Sequence, residues 1–232
     1  MKNEKILTLP DISQTTEDRL RAYCELLSHW SSEKVRLTGP KDKETIWSDH
    51  IQDCLFALSL LPERGRIIDV GTGGGLPGAA WAICRPDLEV FLLDSQSRKT
   101  NALASVIEAL GLKNVQVLWG RSEEIAKTER ESFDLATARG VSELGIVAEY
   151  LSPLVAVGGT VLAIKGPGYV EEMEKIGGRW DTLALGKPDI QGYVNGERQG
   201  FLISMVKTGP CPDRFPRKPG KAEKTPWWED KK

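Results

Sequence analysis

Apolar positions in the first quarter of the chain follow helical periods. Leu20, Tyr23, Leu27 and Trp30 recur at steps of three and four behind Thr15-x-x-Asp18, which predicts an amphipathic helix with its start signal at Thr15. Ile51, Cys54, Leu55 and Leu58 predict a second helix from about Thr45 to Leu61, stopped by Pro62. The polar, turn-rich VRLTGPKDKET between them reads as an exposed loop. From residue 66 the pattern changes to short apolar runs: RIIDV, EVFLLD, VQVLWG, FDLATAR, GTVLAIKG, TLALGKPD and GFLISMVKT are the expected strands. Between them, the stretch from Ser95 to Leu110 places Leu103, Val106, Ile107 and Leu110 on one helical face and stops at Gly111. Strands alternating with helices predict right-handed crossovers and a largely parallel sheet covered on both faces. The last two expected strands, joined by IQGYVNGERQ, predict an antiparallel hairpin at the sheet edge. The chain thus divides into N-terminal helices (1–62), an α/β domain (63–208) and a C-terminal arm (209–232).

Composition sharpens this division only at the end of the chain. With 232 residues, 40% of them hydrophobic, the protein has material for one substantial core. From Lys207 onward eight Lys/Arg face four Asp/Glu, so residues 1–206 carry −6 of the overall −2 and the arm is basic. Residues 209–232 also hold five of the thirteen prolines, which predicts an extended arm without a core of its own. The four cysteines show no metal-binding or redox spacing, no stretch is apolar for long enough to span a membrane, and no leader pattern opens the chain. The expectation is a cytoplasmic, monomeric protein with no metal.

The stretch RIIDVGTGGGLPG, residues 66–78, carries the chemistry. Gly71, Gly73 and Gly75 lack the Cβ atoms that would hold a ligand away from the main chain, and Pro77 suits the first turn of a helix whose N-terminus offers free N–H groups. A tight turn with no ligand has the same signature. Asp69, two residues before Gly71, changes the picture: a carboxylate there repels the pyrophosphate of a dinucleotide but suits a cationic amino-acid moiety. S-adenosylmethionine carries both an ammonium and a sulfonium. Asp94 ends the next strand, where a carboxylate accepts two hydrogen bonds from ribose hydroxyls; the competing role is a helix N-cap, which Ser95 can also fill.

The D-x-G-x-G-x-G turn with a second acid after the next strand resembles class I S-adenosylmethionine-dependent methyltransferases. That resemblance implies a Rossmann-like, seven-stranded, mostly parallel sheet with an antiparallel edge hairpin and the cofactor over the strand C-termini. DVGTGGGLPG, LLDS at 92–95, NVQVLWGRSEE at 114–124, FDLATARGVSEL at 133–144 and FPRKPGKAEKTP at 215–226 together are similar to the bacterial 16S ribosomal RNA guanine-N7 methyltransferase family, also called glucose-inhibited division protein B. The first and last of these motifs are the specific ones. The resemblance implies methyl transfer to N7 of a guanine in the decoding-region loop, with 16S RNA or the small subunit as partner. It implies cofactor contacts from Gly71, Leu76 and Asp94, with Ser95 and Gln96 beside them and Arg121, Ser122 and Glu123 on the adenine side. Arg139 falls at the substrate mouth, within reach of cofactor and RNA alike. An RHIxDS-type element is DHIQDC here: His50 and Asp53 match as RNA contacts, while Asp49 and Cys54 depart from the usual arginine and serine.

Guanine N7 presents an in-plane lone pair at neutral pH, so its methylation removes no proton and needs no general base. No catalytic acid or base is therefore expected, and ATARGV after the fourth strand offers neither a Cys nucleophile nor the Pro-Pro turn of amine methylation. Catalysis would rest on alignment, an effect of about 7–11 kcal/mol. Because positive charge develops on the guanine, Arg139 is expected to grip phosphate or a base edge, or else to pair with Glu143. Lys165 either lines the RNA entrance or is a solvated strand end, and His29 beside Trp30 is expected to be structural. Arg214, Arg217, Lys218, Lys221 and Lys224 can track a phosphate backbone, with Trp227 and Trp228 stacking on bases; alternatively the arm folds back. Lys34, Arg36, Lys41 and Lys43 would form the opposite wall of the groove. Two other classes stay open at this point, a methyltransferase of a small molecule or protein and a noncatalytic RNA-binding assembly factor; a nicotinamide-dependent oxidoreductase is opposed by Asp69.

Overall fold

The computed structural model describes residues 6–33, 35–39 and 42–229; Lys34 and Lys41 lie outside the described residues. Among the described residues eight strands form one sheet: β1 (Ile6–Leu7), β2 (Gly65–Val70), β3 (Leu88–Asp94), β4 (Val115–Trp119), β5 (Phe133–Arg139), β6 (Val155–Lys165), β7 (Asp189–Asn195) and β8 (Arg198–Val206). Their order is β1-β7-β8-β6-β5-β2-β3-β4, with β8 antiparallel to both neighbours and every other pair parallel. Ile67 and Ile68 of β2 are both fully buried, as a central strand covered on both faces requires. The chain leaves β2 for β3 on one side and returns to β5 on the other, so the strand order reverses at β2 and opens a crevice over its carboxyl end.

Two layers cover the sheet. On one face lie α1 (Gln14–Glu33), α4 (Gly78–Cys84) and α5 (Ser97–Ala109), which bury Leu20, Tyr23, Leu27, Trp81 and Leu103 in one core. On the other, α7 (Leu144–Leu151) and α8 (Tyr169–Ile176) pack with Phe215, Trp227 and Trp228. The second N-terminal helix is interrupted: α2 (Lys43–Ile46) runs into a π-turn at Trp47–Ile51, then α3 (Gln52–Leu55) and a 3-10 turn at Leu58–Leu60. Two short helices, α6 (Ser122–Ile125) and α9 (Lys221–Lys224), complete the description. α5 stops at Gly111, as expected, where φ is +63°.

Several expectations are corrected. The first helix starts at Gln14, because Ser13 rather than Thr15 caps it, its hydroxyl accepting from Thr16 N at 3.2 Å. TLALGKPD is not a strand: Trp180–Leu183 forms a 3-10 turn and Leu185 makes only an isolated bridge to Lys207. Most of the supposed link IQGYVNGERQ is β7 itself, closed onto β8 by the two-residue turn Gly196-Glu197, with Gly196 at φ +61° and Asn195 opposite Arg198. The hairpin is not the sheet edge either, because β1 adds an eighth strand beyond β7. The arm is not a free extension. Phe215, Ala222, Trp227 and Trp228 are each at most 4% exposed within the core of the second face.

Candidate functional site

The glycine turn is braced from below. Asp69 is fully buried, and its Oδ2 accepts from Thr72 Oγ1 at 2.7 Å and from Gly78 N at 2.9 Å, tying the turn to the start of α4. Burial pushes its carboxyl up to about 6, against those two hydrogen bonds. Asp69 lines neither of the cavities described below; its Oδ2 braces the turn, while its buried Oδ1 has no hydrogen-bond partner among the described residues. Gly71 has φ +71°, and a Cβ there would stand 2.5 Å from Val141 Cγ2. Gly75 faces the Tyr23 hydroxyl and packs inward, away from the cavities. Asp94 holds the turn from its other side, Oδ2 accepting from Gly73 N at 3.0 Å and Oδ1 from Gln96 N at 2.9 Å.

Two cavities open over the strand ends and share Gly71. The smaller, about 170 Å³, is lined by Asp94, Ser95, Arg121, Ser122 and Glu123, together with Val141, Tyr150 and Glu223. Ser122 donates to Glu123 Oε2 at 3.2 Å, while the buried Glu123 Oε1 has no hydrogen-bond partner among the described residues. Gln96 contributes its backbone to Asp94 but does not line this cavity.

The larger cavity, about 540 Å³, is lined by Gly71, Gly73, Leu76, His50, Asp53, Arg139, Lys165, Tyr193 and Arg198, among others. Arg139 Nη1 donates to Asp53 Oδ2 at 3.0 Å and Tyr193 donates to Asp53 Oδ1 at 2.6 Å, so Arg139 pairs across to α3 and not with Glu143. Glu143 instead pairs with Lys175. The π-turn leads directly into α3, which carries Asp53, and places the His50 carbonyl 3.4 Å from Arg139 Nη1. Burial, then the Arg139 charge, holds the His50 imidazole below its ordinary pKa, so it is neutral at neutral pH. Lys165 is no solvated strand end: its ammonium pairs with Glu172 at 2.7 Å and donates to Ser142 O at 2.9 Å. Asp49 pairs with Arg198 at 3.1 Å, which returns a cation to the mouth from the start of β8.

The basic arm divides. Arg217 is committed to Glu149, a carboxylate 1% exposed, with Nε and Nη2 at 2.8 and 2.6 Å from its two oxygens. Trp227 donates to Gly145 O at 2.8 Å, and Trp228 occupies the space a Cβ at Gly145 would take, so neither indole is free for stacking on a base. Arg214, Lys218, Lys221 and Lys224 remain exposed. In the N-terminal loop, Arg36 donates to Gly39 O at 2.9 Å and Lys43 pairs with Glu25. Sequence reasoning missed Tyr193, Arg198, Tyr150 and Glu223. Moving the hairpin turn to Gly196-Glu197 would have pointed to Tyr193, whereas Glu223 carries no local signal.

Comparison with known proteins agrees with this geometry. The GidB family model, described as rRNA small subunit methyltransferase G, matches residues 16–199. Ribosomal RNA small subunit methyltransferase G of Moorella thermoacetica is 39% identical over 213 residues, covering 89% of this chain and 88% of that protein. The protein of the same name from Clostridium perfringens (strain 13 / Type A) is 36% identical over 225 residues, covering 93% and 92%. Among solved structures, a predicted O-methyltransferase from Agrobacterium tumefaciens aligns with TM-score 0.56 at 21% identity, over 68% of this chain and 81% of that one. The 16S rRNA (adenine(1408)-N(1))-methyltransferase from Catenulisporales acidiphilia, solved with cosubstrate SAM, aligns with TM-score 0.51 at 15% identity, over 69% and 92%. At these identities the structures speak for the fold, a Rossmann-like methyltransferase sheet. The family match across most of the chain, with relatives covered over nearly their whole length, makes this chain a member of the rRNA small subunit methyltransferase G family.

Proposed function

We propose that the protein transfers a methyl group from S-adenosylmethionine to N7 of a guanine in the decoding-region loop of 16S ribosomal RNA. The observation that carries this reading is the pair of cavities meeting at Gly71, one lined by the carboxylates Asp94 and Glu123, the other by Arg139, Lys165 and Arg198, of which Arg139 and Arg198 pair with Asp53 and Asp49 in the same wall and the cations outnumber the acids. The first suits an adenosyl donor. Asp94 keeps lone pairs for ribose hydroxyls beyond its two backbone N–H partners, and the unpartnered Glu123 Oε1 is an acceptor suited to an adenine amino group. The second suits an anionic polymer with an unstacked base.

When bound, S-adenosylmethionine supplies an electrophilic methyl group on its sulfonium. The chain's own residues then need only bind and align. Asp94 and Glu123 fix the donor's nucleoside end, and the bare backbone at Gly71 permits close approach from both cavities. Arg139, held by Asp53, grips a phosphate or base edge of the RNA. No proton has to move, so the reaction asks for no general base, and Asp53 is instead tied to Arg139 and Tyr193 as part of the cavity floor.

The test is methyl transfer from labelled S-adenosylmethionine into small ribosomal subunits, and into RNA stripped from them, both prepared from cells lacking this protein. Label entering the 16S RNA, with S-adenosylhomocysteine competing, is expected. Cofactor binding with no transfer into either substrate would contradict the proposal.

A further inference from the structure

We infer that the C-terminal arm completes the donor cavity and that Glu223, on α9, is a direct contact of the adenosyl moiety. This rests on the proposed donor. Among the residues lining the smaller cavity, Glu223 is the one contributed from beyond Tyr150, and it arrives there because the arm is pinned on both sides of it. Upstream, Arg217 clamps the buried Glu149 through both carboxylate oxygens and donates from Nη1 to Thr225 O at 2.7 Å. Downstream, Trp227 donates to Gly145 O, and the Trp228 ring fills the space beside Gly145, where a Cβ would stand 2.2 Å from Cζ3. Glu149, Tyr150 and Gly145 all belong to α7, so one helix fixes the position of the arm and also supplies Tyr150 to the cavity wall.

The chemistry at that wall is acceptor-rich. The Tyr150 hydroxyl lies 3.4 Å from Glu223 Oε1, and burial first, then the carboxylates of Glu123, Glu223 and Glu149, push its pKa well up, so it stays a protonated donor. Arg217 neutralises Glu149, which leaves Glu223 and Glu123 as the acidic groups facing the cavity beside Asp94. A carboxylate at this rim suits an adenosine amino or hydroxyl donor. A segment whose composition reads as an RNA-tracking arm thereby serves the donor site, and its commitment to Glu149 explains why Arg217 is withdrawn from solvent.

The experiment is calorimetric titration of the full-length protein with S-adenosylmethionine and, separately, S-adenosylhomocysteine. Wild type is compared with Glu223→Ala, Glu223→Gln and, as a control on the exposed neighbouring turn, Glu229→Ala, with the melting temperature of each recorded. Glu223→Ala is expected to weaken both ligands by about tenfold, the effect of one lost charge-assisted hydrogen bond. Glu223→Gln, which keeps one acceptor oxygen, is expected to lose less, and Glu229→Ala nothing. Wild-type affinity in both Glu223 variants would overturn the inference. So would a loss confined to S-adenosylmethionine, which would mean that Glu223 acts only through its field on the sulfonium. Failure of wild type to bind either ligand would instead remove the proposed donor, and the inference with it.

Discussion

Arg139 and Tyr193 meet on the same carboxylate: Asp53 Oδ2 accepts from Arg139 Nη1 at 3.0 Å and Oδ1 from the Tyr193 hydroxyl at 2.6 Å. The end of β5, the β7–β8 hairpin and the N-terminal helices are thus joined at the floor of the larger cavity. Stacking of Tyr193 on Phe56, with centroids 4.4 Å apart, holds the ring. Removing only the hydroxyl in Tyr193→Phe should leave this stack and loosen Asp53. We expect kcat/KM for RNA to fall by about tenfold, the lower end for a hydrogen bond to a charged group, with donor affinity unchanged. Equal losses in donor affinity and RNA turnover would contradict this positioning role.

Asp94 and Arg139 should separate donor from RNA. Asp94→Ala removes the ribose acceptor and the anchor of Gly73 N, and is expected to weaken donor affinity by roughly a hundredfold. Arg139→Ala is expected to act mainly on RNA turnover and on its salt dependence. Equilibrium binding and steady-state kinetics on both variants make the comparison; an Asp94→Ala protein with wild-type donor affinity would end the ribose assignment.

The Arg217–Glu149 pair predicts a stability effect. Arg217→Ala leaves a carboxylate that is 1% exposed without its partner, a loss of about 3–5 kcal/mol. For a chain of this size that corresponds to roughly 10 °C in melting temperature. A calorimetric scan showing no shift would mean that the arm is not docked as described.

Asp69 predicts a pH dependence whose sign follows from its raised pKa. Between its ordinary 3.8 and about 6, the folded protein holds a proton that the unfolded chain has already lost. Stability should therefore fall as pH rises through this window, by roughly 2–3 kcal/mol, and level off above it. Asp69→Asn has no proton to lose at this position. Denaturant unfolding at several pH values should show a difference between the two proteins that changes from pH 4 to 6 and is constant beyond.

Periodicity made the sheet's centre legible, because β2, β3 and β5 are buried on both faces and read as short apolar runs. It failed at the hairpin, where Gly192 and Asn195 looked like loop although both belong to β7 and Tyr193 between them is buried and points at Asp53. β1, two residues long, offers too little pattern to announce itself. The glycine turn and Asp94 were legible because the backbone there must take positive φ and end a strand on an acid. Asp69 was legible as important, but its bracing of the turn was not, since spacing does not show that one of its oxygens faces the amide of Gly78. The arm was misread for a similar reason. Proline and charge describe its exposed side, whereas Phe215, Trp227 and Trp228 decide where it docks.

The most direct test is to map the product. Small subunits or RNA methylated by the purified protein are treated for chain cleavage specific to N7-methylguanine, and the ends are sequenced. One new cleavage, at a single guanine of the decoding-region loop and absent with Arg139→Ala, is the expected result. Incorporated label with no N7-specific cleavage would place the methyl on another atom and contradict the reading of a site that aligns its substrate without a general base.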